Sequence, residues 1–162
     1  MNEPIQAVDL VARLKERRAT VATAESLTGG RLAARMSEAP GSSEIFLGGA
    51  VTYATEAKVK VLGVAQEVVD EHGVVSAECA RAMAEGARRL LGSTYGVSTT
   101  GVAGPDTQEG KPVGTVFVGV AGPNGTDVVP LALDGDRESI TNESVAAAVE
   151  ALVAALEGRP EE

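Results

Sequence analysis

The sequence predicts a three-layer α/β fold with a mixed sheet, and three observations carry that prediction. Short apolar runs of strand length alternate with amphipathic helical stretches through the first hundred or so residues. Two later runs, Val113–Ala121 and Asp127–Leu133, flank a Gly-Pro-Asn-Gly turn at 122–125, which reads as a hairpin. The aromatic complement is only Phe46, Tyr53, Tyr95 and Phe117, so the core must be Ala, Val and Leu, with elements in close approach. Alternation early and a hairpin late imply a mixed sheet covered by helices, without fixing the strand order.

Taken in order, Pro4–Arg18 reads as a helix with Ile5, Val8, Val11 and Leu14 on one stripe. Thr20–Ala24 is a short strand. Arg31–Ala39 is a helix that Pro40 and Gly41 stop. Phe46–Tyr53 is a second strand whose adjacent Gly48 and Gly49 imply close backbone approach. A short helix covers Thr55–Leu62, with Thr55 as its cap, and another precedes His72-Gly73. Ser76 caps a long helix with Ala80, Met83, Ala84, Ala87 and Leu91 on its face. Tyr95–Val102 is a strand, separated from the hairpin by the polar loop Gly104–Lys111. Asp136 caps a last helix, apolar at Val145, Val149, Leu152 and Leu156, which Gly158 ends. Residues 1–158 form one domain, and Arg159–Glu162 read as a frayed tail.

Bulk composition narrows the function classes. The 162 residues suffice to bury a core without staples. A formal net charge of −9 argues against nucleic-acid and anionic-membrane partners, so an anionic substrate must be held by a local site. One Cys and one His leave no zinc constellation and no internal disulfide. No segment reads as a signal peptide, and no apolar run approaches the roughly 18 residues of a membrane span, so a soluble cytoplasmic protein is expected.

The usual catalytic sets are missing. A Ser-His-Asp triad could be built only through His72, which stands before Gly73 where His is favoured for helix capping alone. Cys79 lies in an Ala-rich helix, where a small buried thiol is the plain explanation. A hydrolase without His must activate its nucleophile otherwise, and Ser–Lys is one alternative. With Thr55 as cap, Lys58 stands at the third helical position, where the macrodipole disfavours a cation and a capping box wants Glu. That field and burial would both depress its pKa, as a base requires; a solvated surface lysine is the alternative. Ser26 closes a strand and precedes Thr28-Gly29-Gly30 at a helix start, where amides can bind an oxyanion or phosphate or simply form a capping turn. Tyr53 ends its strand five residues before Lys58, within reach of one shared cavity. Arg137 in a first helical turn hints at a phosphate or carboxylate partner, though Asp134, Asp136 or solvent would also satisfy it.

Four strings, T-A-E-S-L-T-G-G (Thr23–Gly30), V-T-Y-A-T-E-A-K (Val51–Lys58), T-G-V-A-G-P (Thr100–Pro105) and K-P-V-G-T (Lys111–Thr115), occur in this order. With G-S-S (Gly41–Ser43) and G-D-R (Gly135–Arg137) between and after them, they resemble the C-terminal domain of the competence/damage-inducible CinA family over roughly Val8–Leu156. Stand-alone members of that family are nicotinamide-nucleotide amidohydrolases. The resemblance implies a metal-independent and cofactor-free serine–tyrosine–lysine mechanism on nicotinamide mononucleotide, a nucleotide substrate giving nicotinate mononucleotide and ammonia. It assigns Ser26, Tyr53 and Lys58 to catalysis. Thr28, Gly29, Gly30, Ser43, Thr100, Gly101 and Arg137 go to substrate and oxyanion binding. Ser26 and Ser43 both match family serines; Ser26 is favoured as the nucleophile. A homo-oligomer, with a dimer favoured, is expected. Two departures stand out: Thr141 replaces a further arginine of many relatives, and the loop Asp106–Gly110 is shorter. The competing expectations are a non-catalytic nucleotide-binding module and an amidase for another substrate.

Overall fold

The computed structural model describes residues 6–158. Five strands and six helices follow one another as α1 (Ala7–Glu16), β1 (Val21–Glu25), α2 (Arg31–Met36), β2 (Phe46–Val51), α3 (Thr55–Leu62), α4 (Gln66–His72), α5 (Ala77–Leu91), β3 (Tyr95–Gly101), β4 (Thr115–Gly122), β5 (Gly125–Ala132) and α6 (Arg137–Glu157). A single 3-10 turn, Ser42–Glu44, precedes β2. The strands form one mixed sheet in the order β2-β1-β3-β4-β5. β1 runs parallel to both β2 and β3, while β3, β4 and β5 are antiparallel, the last two as the expected hairpin with Gly122 opposite Gly125.

Helices cover both faces. Leu10, Leu14, Leu32, Met36, Ile140 and Leu152 of α1, α2 and α6 pack on Val21, Val97 and Val118. On the opposite face Leu62, Cys79, Met83 and Ala87 of α3 and α5 pack on Ala22 and Ala24. The strand period of two thus sends neighbouring β1 residues to separate cores. Small residues permit the close approach that few aromatics require: a Cβ on Gly86 of α5 would lie 2.2 Å from the Leu62 carbonyl oxygen. At the sheet edge a Cβ on Gly49 would lie 2.1 Å from Thr23 Oγ1.

Several local expectations are corrected. Val8 is exposed and Leu10 takes its place in the stripe with Val11 and Leu14; Ile5 and Arg159–Glu162 lie outside the described residues. α2 stops at Met36, because Ser37 already closes the turn with its amide on the Ala33 and Ala34 carbonyls. β2 ends at Val51, leaving Tyr53 in the connection to α3. Helix α6 has 21 residues and a mean hydropathy of 1.3 over its most apolar window, long and apolar enough to match a membrane span. Half of that window is buried, and its apolar side packs on the sheet.

Candidate active site

Because β1 and β2 are parallel neighbours, both release the chain at the same end of the sheet, the usual place for sites in α/β folds. Ser26 follows β1 directly, its amide bonded to the Thr99 carbonyl of β3, so the hydroxyl is held at the strand end. α3 follows β2 after three residues and turns Lys58 back toward it. The Lys58 Nζ lies 2.9 Å from Ser26 Oγ, 2.6 Å from the Thr52 carbonyl oxygen and 3.3 Å from that of Tyr53. Lys58 is 1% exposed. The surface-lysine alternative is therefore removed.

Three acceptors around an amine nitrogen can be read in either protonation state. As an ammonium, Lys58 donates to all three. As a neutral amine, it keeps its two N–H bonds on the carbonyls, which leaves the lone pair facing the Ser26 hydroxyl. Burial favours the second state and holds the Lys58 pKa below its usual 10.5; nearby Cys79 and Glu109 pull the other way. The Cys79 thiol is itself pushed up to about 11 by burial, so it is neutral near pH 7 and Glu109 is the effective opposing anion. The helix start adds to the depression. Ala54, not Thr55, is the N-cap, so Lys58 occupies the fourth helical position, still within the first turn.

Ser26 and Lys58 open into a cavity of about 340 Å³, within the size range of small-molecule sites. Tyr53, Thr100, Gly101 and Arg137 line it as well. Arg137 is the first residue of α6 after the Asp136 cap. Its guanidinium donates to the Gly104 carbonyl at 2.6 Å and to the Tyr53 hydroxyl, tying α6, the Gly104 loop and the β2–α3 connection together at the rim. Tyr53 is 58% exposed, so it is not a core tyrosine.

With this geometry in view, the family profile of the CinA C-terminal domain matches residues 5–156. The chain belongs to the CinA C-terminal domain family. It is 50% identical over 147 residues to a CinA-like protein of Frankia casuarinae, covering 91% of this chain and 34% of that protein. It is 46% identical over 167 aligned positions to a putative competence-damage inducible protein of Caldanaerobacter subterraneus, covering 98% and 40%. The chain thus spans little more than a third of the length of these relatives. Among solved structures, the competence/damage inducible protein CihA of Agrobacterium tumefaciens superposes with a TM-score of 0.88 at 35% identity, over 94% of this chain and 93% of that one. The three-layer architecture is that of the CinA superfamily.

Other residues singled out from sequence have different settings. Thr28 is fully buried, its hydroxyl bonded to Glu25 and Thr99. Gly30, Leu32 and Ala33 give their amides to the Glu25 carboxylate at 3.2, 2.8 and 3.0 Å, and the Gly29 amide bonds to the Ser26 carbonyl. The α2 start therefore holds an internal anion; the Thr28 hydroxyl and the Gly29 and Gly30 amides are engaged there, and none of these three residues lines the cavity. Thr100 reaches the cavity wall, but its hydroxyl donates to the Val74 carbonyl at 2.7 Å. Ser43 is exposed in the 3-10 turn at the opposite end of β2 from Tyr53, away from the cavity of its own chain. His72 ends α4 with its ring nitrogens 3.8 and 3.7 Å from the Glu71 and Glu78 carboxylates, and Cys79 is buried in α5.

Two acidic residues escaped the sequence reading. Glu25, 0% exposed, is the helix-start anion just described. Its signal was the E at fixed distance before T-G-G and a helix, a capping pattern displaced upstream of the cap itself. Glu109 accepts the Val74 and Val75 amides, each at 2.9 Å, and pins the Gly104–Lys111 loop beside Lys58. Nothing in its local sequence marks that long-range contact.

Proposed function

We propose that this domain is an amidohydrolase that converts nicotinamide mononucleotide to nicotinate mononucleotide and ammonia, a salvage step in the cytoplasm. The observation that carries the reading is the buried, desolvated Lys58 amine 2.9 Å from Ser26 Oγ at the wall of a ligand-sized cavity. Neutral Lys58 takes the Ser26 proton as Oγ attacks the carboxamide carbon. The tetrahedral intermediate collapses with cleavage of the C–N bond, Lys58 giving its proton to the departing amine, which leaves as ammonia. Water then attacks the acyl ester, transferring a proton to Lys58, which returns it to Ser26. Leu27, Ala103 and Gly104 line the cavity and their amides bond to no other described residue, so they take the place of Gly29 and Gly30 as candidate oxyanion donors. Arg137 at the rim suits the phosphate, with the Tyr53 hydroxyl beside it.

The test is ammonia release from the mononucleotide by the purified chain. Turnover that persists in EDTA and disappears in Ser26→Ala supports the reading, since no step above uses a metal. Binding of the mononucleotide without ammonia release would make the domain a nucleotide-binding module instead.

A further inference from the structure

The loop between β3 and β4 carries Asp106, Thr107, Gln108, Glu109 and Lys111, and these polar residues divide into two groups. Glu109 accepts the Val74 and Val75 amides, each at 2.9 Å, and the Lys111 amine donates to the Val75 carbonyl. A backbone bridge joins Gln108 to Lys111, and at the other end of the loop the Gly104 carbonyl receives Arg137 at 2.6 Å. The loop is thus fastened at both ends by bonds within the chain. Asp106, Thr107 and Gln108 line the cavity, and their side chains bond to no described residue. Glu109 and Lys111 do not line it. The fold uses the two side chains that stand off the cavity and leaves unpaired the three that border it.

A loop held in this way sets the place of its unpaired side chains before any ligand arrives, which is what a binding surface requires. Asp106 is the most informative of the three. Among the residues lining the cavity it has the only carboxylate. It stands two residues after Gly104, so its Cα is within about 7 Å of the residue that Arg137 holds. No ion pair joins Asp106 to Arg137. A bare carboxylate on the same rim as a phosphate-binding guanidinium repels the phosphate. That repulsion is offset where the same molecule also brings hydrogen-bond donors or positive charge to the carboxylate.

With the carboxamide of nicotinamide mononucleotide at Ser26 and its phosphate at Arg137, the ribose is the part that lies between. It adjoins the phosphate and carries two neighbouring hydroxyls, whereas the cationic ring stays with its carboxamide beside Ser26. We infer that Asp106 recognises the ribose cis-diol, its two carboxylate oxygens accepting from the 2′- and 3′-hydroxyls. Oxygens that only accept match hydroxyls that can donate, and an acid on a ribose hydroxyl serves dinucleotide-binding folds in the same way. Asp106 thereby makes the cavity selective for ribonucleotides. The inference rests on the nucleotide reading of the site, but on its binding half alone, and it holds whether or not the carboxamide is hydrolysed.

Calorimetric titration of the full chain with methyl β-ribofuranoside 5-phosphate and with its 2,3-dideoxy counterpart tests it, since neither ligand has a carboxamide to turn over. Wild type is expected to prefer the diol by about ten- to a hundredfold, the worth of hydrogen bonds to a charged acceptor. Asp106→Ala should erase that preference. It should also bind the dideoxy sugar as tightly as wild type or more so, because the repulsion on the phosphate is gone. Wild type that binds neither sugar or both equally, or Asp106→Ala that keeps the preference, overturns the inference. Weaker binding of the mononucleotide by Asp106→Ala, with the ribofuranoside unaffected, would assign the carboxylate to the cationic ring and overturn it as well. Should Asp106→Ala not fold by circular dichroism, Asp106→Asn decides: the preference should fall severalfold, and an unchanged preference overturns the inference. Ammonia release with no sugar preference would keep the proposed reaction and sink this inference; a sugar preference without ammonia release would do the reverse.

Discussion

The two strand-to-helix turns at the site are built alike but bury opposite kinds of group, an acid in one and a base in the other. After β1, the chain enters α2 with Glu25 buried under the helix start, its two oxygens taken by three amides and the Thr28 hydroxyl. After β2, the chain enters α3 with Lys58 buried in the first turn, facing carbonyls and Ser26. An anion at a helix start is stabilised by the free amides and the macrodipole; a cation there is not. One turn spends its buried charge on structure. The other buries a basic amine that stability alone would not select, and that is the one bonded to the Ser26 hydroxyl.

The contrast predicts that the two groups separate stability from activity. The largest effect is expected from Lys58→Met, which should lower ammonia release from the mononucleotide by about 10³-fold or more through loss of the base. Its Tm should stay within a few degrees of wild type, since the orphaned Thr52 carbonyl is offset by removal of a desolvated amine. A steady-state assay paired with thermal unfolding checks both halves. Retention of a tenth of the activity would break the comparison.

Glu25→Ala should do the reverse. Orphaning three amides and a buried hydroxyl should cost about 3 kcal/mol, lowering the Tm by roughly 6–12 °C for a domain of this size. Glu25→Gln, which keeps an acceptor oxygen, should cost less. Calorimetry of both variants sharpens the point: equal losses would mean that packing volume, not capping, is what Glu25 supplies.

Much of this was legible in the sequence, and what was not has physical reasons. Ser76 and Asp136 cap α5 and α6 as expected, because N-caps are local chemistry within three residues. Ser26, Tyr53 and Lys58 could be singled out by type and spacing, and they do meet at one cavity. Thr55 was mistaken for the cap of α3 since hydroxyls usually hold that position, yet here Ala54 does so without a side-chain bond. Misreading the α2 start came from treating its amides as free, when their partner, Glu25, arrives from the strand before the turn. Burial of Lys58 and the reach of Glu109 to Val74 and Val75, 35 and 34 residues away, depend on tertiary contacts that no local pattern encodes.

A smaller effect belongs to the rim. Arg137→Ala should raise KM for the mononucleotide by roughly tenfold through loss of a charge-assisted phosphate contact, with a lesser change in kcat. Nicotinamide riboside, which lacks the phosphate, should be indifferent to the substitution. Equal loss on both substrates would place Arg137's role in holding Tyr53 and Gly104 instead.

The pH dependence is the finest probe. The proposed mechanism requires neutral Lys58, so kcat/KM should rise with pH on an acid limb below the usual 10.5 of lysine. Removing the opposing anion in Glu109→Gln should move that limb to lower pH. The stability sign follows from the same shift: the native state binds fewer protons than the unfolded one between the depressed pKa and 10.5. Wild type should therefore gain stability relative to Lys58→Met as pH rises through that window, and thermal unfolding at several pH values measures it.

Acid quench of the protein mixed with nicotinamide mononucleotide, followed by tryptic digestion and mass spectrometry, tests the Ser26–Lys58 pair most directly. The account expects the nicotinate-mononucleotide acyl adduct on the peptide Ala19–Arg31, assigned to Ser26 by fragmentation and absent from Lys58→Met. An adduct on Met36–Lys58, the peptide that carries Ser43, with Ser26→Ala still acylating, would contradict it.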